Sequence, residues 1–468
     1  MPGIVSASDE VWRWDGWTAL DDNVNDGAID LDGNLVLVGS QGSAAAEDIL
    51  DDTFGDVYPG DFAAVKLDGP SGEVLWTWTA SSLASEADSF FGVDTDSNND
   101  IVMGGRTEGY WSSSNPYNIP HLAAVKLNGS TGDEIWRYQE HPLDSYTSSG
   151  YYGSGNVIGV AVDGDDNCFL VGQLFGSLVY GQGDPLDSDF FVIKLDGTDG
   201  SDIWTVQGGE STNFNALIKV KVDSAGDLIA VGSGGDGDAV DTFVVKFSGI
   251  DGSILWEYSP VTSSRHDVLH SVDVDAQDDA YVAGGYDAQD LLGYVAETPV
   301  VLKLDGATGD VVWIYEGVAT SRVAFFAVAV DPTTGGIVGA GWTEETWVTG
   351  AAQGGHDFAA VLLDGVYGDE LGRYQSGTAD DDYLTFVGFD FAGGLFLGGT
   401  WTDIGEDDFV AIKFAPLGTL PSPSPGTLAS DSSDSSTSLA GSKILDHWEM
   451  VAGGGGALLL VLLGLCEC

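Results

Sequence analysis

The chain has 468 residues, 43% of them hydrophobic, and sets 74 acidic side chains against 15 basic ones, for a formal net charge of −59. That balance excludes nucleic acid as a partner, because phosphate binding needs clustered Lys or Arg, and it favours cations or basic ligands. Three cysteines, Cys168, Cys466 and Cys468, exclude a disulfide framework, and Cys168 in the run CFLVG reads as a buried core thiol.

The first residues contain no apolar leader segment, so no secretory signal is visible. From Glu10 the chain reads EVWRWDGWTA, a tryptophan strand with no partner strand before it. Seven similar units follow. Each opens with a strand ending in an aspartate-rich turn: IDLDGN at Ile29, VDTDSNND at Val93, VDGDDN at Val162, VDSAGD at Val222, VDAQDD at Val274, VDPTTGG at Val330 and FDFAGG at Phe389. A second strand ends in glycine, as in LVLVG or YVAGG. A third carries a lysine, as in DFAAVKLDG from Asp61: Lys66, Lys126, Lys194, Lys246, Lys303 and Lys413, with Leu362 in the sixth unit. A fourth carries a tryptophan ten residues later in the first five units: Trp76, Trp136, Trp204, Trp256 and Trp313. Apolar or alternating runs of this length between Gly and Asp turns are strands, and no sustained helical period interrupts them.

Self-similarity at this period means a repeat architecture. Seven four-stranded antiparallel units predict an all-β, seven-bladed propeller over residues 10–416. The seventh unit ends at its lysine strand, so Glu10–Thr18 is expected to complete that blade beside Phe409–Phe414 and close the ring.

The repeat resembles two propeller families. One is the bacterial beta-propeller repeat (SBBP) family, with DxFVxKLDxxG, a tryptophan and a VDxxGNxYVxG strand pair. The other is the quinoprotein-like (PQQ) repeat, which shares the LDxxTGxxxW turn at Leu304–Trp313. The resemblance implies the fold and names no activity. Quinoprotein dehydrogenases carry a vicinal cysteine pair over the cofactor. The single propeller cysteine here argues against PQQ.

Each lysine lies near the end of a third strand and each turn aspartate (Asp30, Asp94, Asp163, Asp223, Asp275, Asp331, Asp390) near the end of a first, so Lys–Asp pairs on one face of the ring are expected. The tryptophans are expected to pack between blades, with Leu362 marking a dispensable pair and Gly372 the weakest contact. Asp94, Asp96, Asn98 and Asp100 follow the oxygen-ligand spacing of Ca²⁺ loops, and Asp163, Asp165 and Asn167 repeat part of it. The same residues are what a tight hairpin requires, and no glutamate follows at the twelfth loop position. Both readings stand at this stage.

Connections on the opposite face are longer and more variable, and binding residues concentrate on such loops. They carry the aromatics Tyr110, Trp111, Tyr117, Tyr151, Tyr152, Tyr180, Trp342 and Trp347 beside several carboxylates. These could stack on sugars or pack the loops onto the blade rims. Catalysis has little support: the six histidines are scattered, and no HExxH, GxSxG or Cys–His arrangement occurs. Paired carboxylates in these loops leave a glycoside hydrolase or lyase as an alternative.

Beyond Pro416, residues 417–449 form a Ser/Thr/Pro-rich stalk expected to be disordered. Residues 450–468 form an apolar segment short of the ~20 residues of a spanning helix, which fits a GPI signal or a single-pass anchor. The reading is therefore a monomeric, C-terminally anchored, extracellular binding or adhesion propeller for a glycan, a protein or a cation-bridged surface. A carbohydrate-active enzyme and a purely structural scaffold remain alternatives.

Overall fold

Within each unit the predicted strands pair antiparallel in chain order, the first with the second and the third with the fourth through turns of a few residues. The computed structural model describes residues 10–15, 21–43, 61–80, 88–107, 121–140, 154–178, 188–208, 214–235, 241–259, 267–289, 295–317, 323–344, 347–348, 355–403 and 406–416. All lie in the first of two units, Met1–Pro421.

Twenty-eight strands form seven four-stranded sheets, and no helix occurs among the described residues. Blades 1 to 6 begin at Asp21, Asp88, Ser154, Phe214, Asp267 and Val323, and each is built from four consecutive strands. Blade 7 takes three strands from Tyr383–Phe414, and its outermost strand is Glu10–Asp15, paired antiparallel with Glu406–Phe414 in the register Trp12↔Lys413 and Trp14↔Ala411. The first strands of successive blades touch one another around a closed ring, so they are innermost.

The core is seven clusters, one at each junction between adjacent blades. Between blades 1 and 2, for example, Val36, Val38 and Ala64 meet Ile101 and Met103, while the Phe62 and Phe90 rings stack at 4.3 Å. Each such aromatic contributes roughly 1.5–3 kcal/mol by leaving water. Cys168 is buried in blade 3, where burial pushes its thiol up to about 12, so it is an inert core residue.

Every innermost strand carries a β-bulge at the same place, for instance at Asn25, Phe91 and His270. The inner edge of each strand presents backbone groups with no ladder partner, and side chains of the preceding blade satisfy several of them. Asp26 accepts from Val93 N (3.0 Å), Asp94 from Val162 N (2.9 Å) and Asp273 from Val330 N (2.9 Å). Lys219 of blade 4 reaches across the axis to an ion pair with Asp26 of blade 1. Burial opposes the charge of Lys221, but Asp273, Asp94 and Asp26 outweigh it and hold its pKa above the ordinary value. Burial raises the pKa of Asp94 despite Lys221 nearby.

His270 packs edge-on against Phe326 (4.8 Å between ring centres), and burial pushes its pKa down to about 4. A histidine depressed when folded stabilises fully above its unfolded pKa of about 6.5, and that contribution is lost as pH falls toward 4. Wild type should therefore lose up to about 3 kcal/mol more than His270→Phe between those pH values. Phenylalanine already stands at this bulge in blades 2 and 6, as Phe91 and Phe326. Urea midpoints of both proteins across that range check it. Parallel curves would refute a neutral buried imidazole.

Candidate functional site

The short turns between first and second strands and between third and fourth share one face. There, five of the six lysines join two blades. Each of four examples pairs with the aspartate opening its own blade's hairpin: Lys66–Asp30 (2.7 Å), Lys126–Asp96 (2.7 Å), Lys194–Asp163 (2.8 Å) and Lys413–Asp390 (3.1 Å). The same ammonium donates to a glycine carbonyl of the next blade: Lys66 to Gly129 (2.7 Å), Lys126 to Gly197 (2.8 Å), Lys194 to Gly249 (2.9 Å), Lys246 to Gly306 (2.9 Å) and Lys413 to Gly69 (3.0 Å). The indoles of Trp76, Trp136, Trp256 and Trp12 donate to those carbonyls too. One glycine oxygen thus takes two bonds and staples two blades together. That glycine is obligatory: a Cβ at Gly129 would lie 1.6 Å from the Asn99 carbonyl oxygen of the neighbouring hairpin.

In blade 2 the lysine's partner is Asp96, where the sequence reading has Asp94. Asp96 N bonds Asp100 O just as Asp30 N bonds Asn34 O, so Asp96 holds the hairpin position and Asp94 lies two residues earlier, at the axis. Two members depart from the pattern. Lys303 turns to Asp279 (2.9 Å), and the Tyr281 hydroxyl joins Trp313 on Gly365 O (both 3.3 Å). The buried Trp204 indole N–H has no acceptor, and its ring packs against Phe169.

The junction between blades 6 and 7 lacks the staple, and one cause explains three substitutions. Blade 7 takes its third and fourth strands from opposite ends of the described chain, so no turn joins them and Pro416 stands where the acceptor glycine would be. With no such turn to receive a lysine and an indole from blade 6, Leu362 and Gly372 occupy those positions. They line a small apolar crevice with Tyr374, Leu397 and Phe414. Asp331, left without a lysine, instead receives the hydroxyls of Thr333 (2.7 Å) and Thr334 (2.6 Å). The missing pair is compensated rather than dispensable.

The calcium-like spacing is occupied by the same scheme. Asp96 Oδ1 accepts the N–H groups of Asn98 (2.8 Å) and Asp100 (2.9 Å) while Oδ2 faces Lys126. Asp100 holds Gly129 N (3.0 Å). Asp163 repeats the arrangement with Asp165 N, Asn167 N and Lys194. Among the described residues no group of three His, Cys, Asp or Glu side chains is arranged to hold a metal ion. Titrating chelator-stripped protein with Ca²⁺ should leave the melting temperature unchanged through these turns. A rise abolished by Asp96→Asn would show an ion competing with Lys126.

Of the aromatics expected on the opposite face, Tyr110, Trp111, Tyr117, Tyr151, Tyr152 and Tyr180 lie outside the described residues. Trp342 belongs to a strand, Ile337–Thr343, and is 6% exposed. Trp347 packs between Phe325 (6.0 Å) and the Arg373 guanidinium (4.7 Å). Trp347 is thus packed onto the blade rim, while Trp342 packs against His356 and Tyr383. Two Asp–Gln clamps organise this face. Gln375 donates to Asp357 (2.7 Å) and accepts from Trp347 N and Val348 N (2.7 Å each), and Gln207 binds Asp189 (2.6 Å) and Leu178 N (2.8 Å) likewise. Sequence reasoning missed them, although a glutamine three residues beyond the tryptophan position recurs as Gln139, Gln207 and Gln375.

His356 is the centre of the best-defined polar group here. Its Nε2 lies 3.1 Å from Glu344, and its Nδ1 lies 3.0 Å from Asp381 and 2.7 Å from the Tyr383 hydroxyl. Its backbone N–H donates to Asp381 (2.8 Å), and the Trp342 ring meets the imidazole edge-on at 4.2 Å. The buried indole N–H of Trp342 has no acceptor among the described residues. His356 and Trp342 come from blade 6, Tyr383 begins the innermost strand of blade 7, and Asp381 lies between. An imidazole 20% exposed and held by two carboxylates and a tyrosine can bind a ligand or exchange a proton with the phenol. His356 was visible only as one of six scattered histidines, because its partners span residues 342–383 and meet through the ring.

The described strands define a seven-bladed β-propeller of four-stranded antiparallel blades. No protein-family model matches the chain, and no curated protein does. Solved structures it is similar to include a protein of unknown function from Dyadobacter fermentans, 9% identical, covering 86% of this chain and 98% of that one at a TM-score of 0.47. Others are the polysaccharide lyase Uly1 (10%, 82% and 88%, 0.47) and quinohemoprotein alcohol dehydrogenase from Comamonas testosteroni (12%, 90% and 79%, 0.43). At these identities no activity carries over.

Proposed function

We propose that this chain is a non-enzymatic binding propeller that meets its ligand, a glycan, protein or cation-bridged surface, on the long-loop face. One observation carries the reading: the two faces differ in what their polar residues do. On the short-turn face the repeated Asp, Lys and Trp side chains hold blades together. On the other, non-repeated residues converge around a partly exposed His356. The stalk-like composition of residues 417–449 and the apolar run 450–465 support display outside the cell on a C-terminal tether, and the net charge of −59 opposes self-association. A glycan array probed with the full chain, with and without Ca²⁺, tests this. Retained signal in Lys194→Leu and loss in His356→Ala is expected; the reverse would place binding on the structural face and overturn the reading.

The 2.7 Å contact between Tyr383 and His356 favours a second reading, a carbohydrate-active enzyme using this pair for proton transfer. Release of new reducing or unsaturated ends from any arrayed glycan, abolished by Tyr383→Phe, would establish it over the first.

A further inference from the structure

The His356 group sits across the one described blade junction where neither a lysine nor a tryptophan bonds to the next blade. We infer that Trp342, Glu344, His356, Asp381 and Tyr383 form a saccharide site that clamps blade 6 to blade 7, and that its ligand is a non-anionic sugar chain. This rests on the long-loop reading above. Two independent observations converge on it. The first is an unmet donor: the Trp342 indole N–H is buried without an acceptor among the described residues, amid groups that are otherwise hydrogen-bonded. A buried polar group left so is unfavourable until an oxygen arrives to accept it. The second is mechanical. Leu362, Gly372 and Pro416 remove the staple that lysine or tryptophan provides at the other six junctions, and an apolar crevice remains. Contacts between His356 of one blade and Tyr383 of the next bridge that same junction from the opposite face.

The chemistry of the group selects the ligand class. Glu344 and Asp381 offer acceptor oxygens to sugar hydroxyls, the Trp342 N–H offers a donor to a ring or hydroxyl oxygen, and the imidazole can serve either way. A sulfated or uronate chain would bring negative charge against two carboxylates on a chain of net charge −59. A neutral or aminated chain meets no such repulsion. Because the site touches both blades, occupancy should stabilise the ring at the junction where it is held least, so binding is coupled to melting temperature.

The test uses the full chain and three probes, a neutral cello-oligosaccharide, a deacetylated chitosan oligomer and a sulfated galactan oligomer. Each is followed by calorimetric titration, thermal unfolding and hydrogen exchange. The expected result is saturable binding of the neutral or aminated probe, a raised melting temperature, and protection confined to residues 342–344, 356 and 381–383. Trp342→Phe keeps the packing and removes the N–H, and should weaken binding about tenfold (about 1.4 kcal/mol). Tyr383→Phe serves as a second variant should the first fold poorly. Protection elsewhere on the long-loop face, or affinity unchanged in both variants, would overturn this site while leaving the broader reading intact. Preference for the sulfated probe, or binding by none, would overturn the ligand class. Protection on the short-turn hairpins would overturn both.

Discussion

Deleting residues 1–15 should lower the melting temperature more than any single substitution and broaden the transition. Glu10–Asp15 is the outermost strand of blade 7, and its removal exposes the far edge of Glu406–Phe414 along its whole pairing with that strand. Trp12 alone makes three contacts that would vanish: its indole donates to Gly69 O (2.8 Å), its ring lies edge-on to Phe396 (5.9 Å), and it fills the space above Gly72. Arg13 covers Trp401 (4.7 Å), and Glu10 accepts from Tyr374 (3.3 Å). With two partly buried tryptophans at up to roughly 1.5–3 kcal/mol each and several ladder bonds at about 1 kcal/mol each, the loss is about 5 kcal/mol. That is a large share of the 5–15 kcal/mol typical of a folded domain. Adding residues 10–15 back as a synthetic peptide should restore the melting temperature in a concentration-dependent way. An unchanged transition on deletion would mean that the pairing contributes nothing to closure.

The fold was legible because its determinants recur. Turn, strand and lysine positions repeat seven times, so a register error in one unit is corrected by the others. The lysine and tryptophan rows were legible too, and their failures at Leu362 and Gly372 pointed to a real junction. What the sequence could not supply was the reason for them: the acceptor is a backbone oxygen in the next blade, and no side chain announces a missing carbonyl. Asp94 was misassigned for a related cause. VDTDSNND offers aspartates at 94, 96 and 100, and only the hairpin's hydrogen bonds decide which occupies the turn.

The candidate site was far less legible. Aromatics were selected for lying in long connections, yet Trp342 ends a strand and Trp347 is pinned by Gln375. The residues that gather around His356 come from a second strand, an inter-blade connection and the start of the next blade. They carry no spacing motif, since propeller closure rather than local periodicity brings them together. A charged cluster at the axis was equally hidden: Lys219 and Asp26 are 193 residues apart and meet only because the ring places blade 4 opposite blade 1.

Lys126→Met should cost about 3–5 kcal/mol, the price of leaving a buried carboxylate without its cation. The Asp96 side chain is fully buried and that of Lys126 5% exposed, so neither charge can turn to water. Methionine keeps most of the volume and removes both the ion pair and the bond to Gly197 O. Blade 6 shows what a lysine-free blade requires. There the apolar Leu362 is tolerated because Thr333 and Thr334 place two hydroxyls on Asp331, which is itself buried. Blade 2 has Ser97 and Asn98 at the corresponding hairpin, and both engage Asp166 of blade 3 instead. Nothing there can take over from the lysine. Two rescues follow. Lys126→Met with Asp96→Asn keeps an oxygen for the hairpin N–H groups, removes the orphaned charge, and should recover more than half of the loss. Exchanging the Asp96–Asp100 hairpin for the Asp331–Gly336 one in a Lys126→Leu background should recover part of it through the threonines. Chemical denaturation of the four proteins separates the cases. If Lys126→Met alone were neutral, the lysines would be solvated decoration and the stapled ring would need another account. If neither rescue helped, the loss would lie in the bond to Gly197 rather than in the stranded carboxylate.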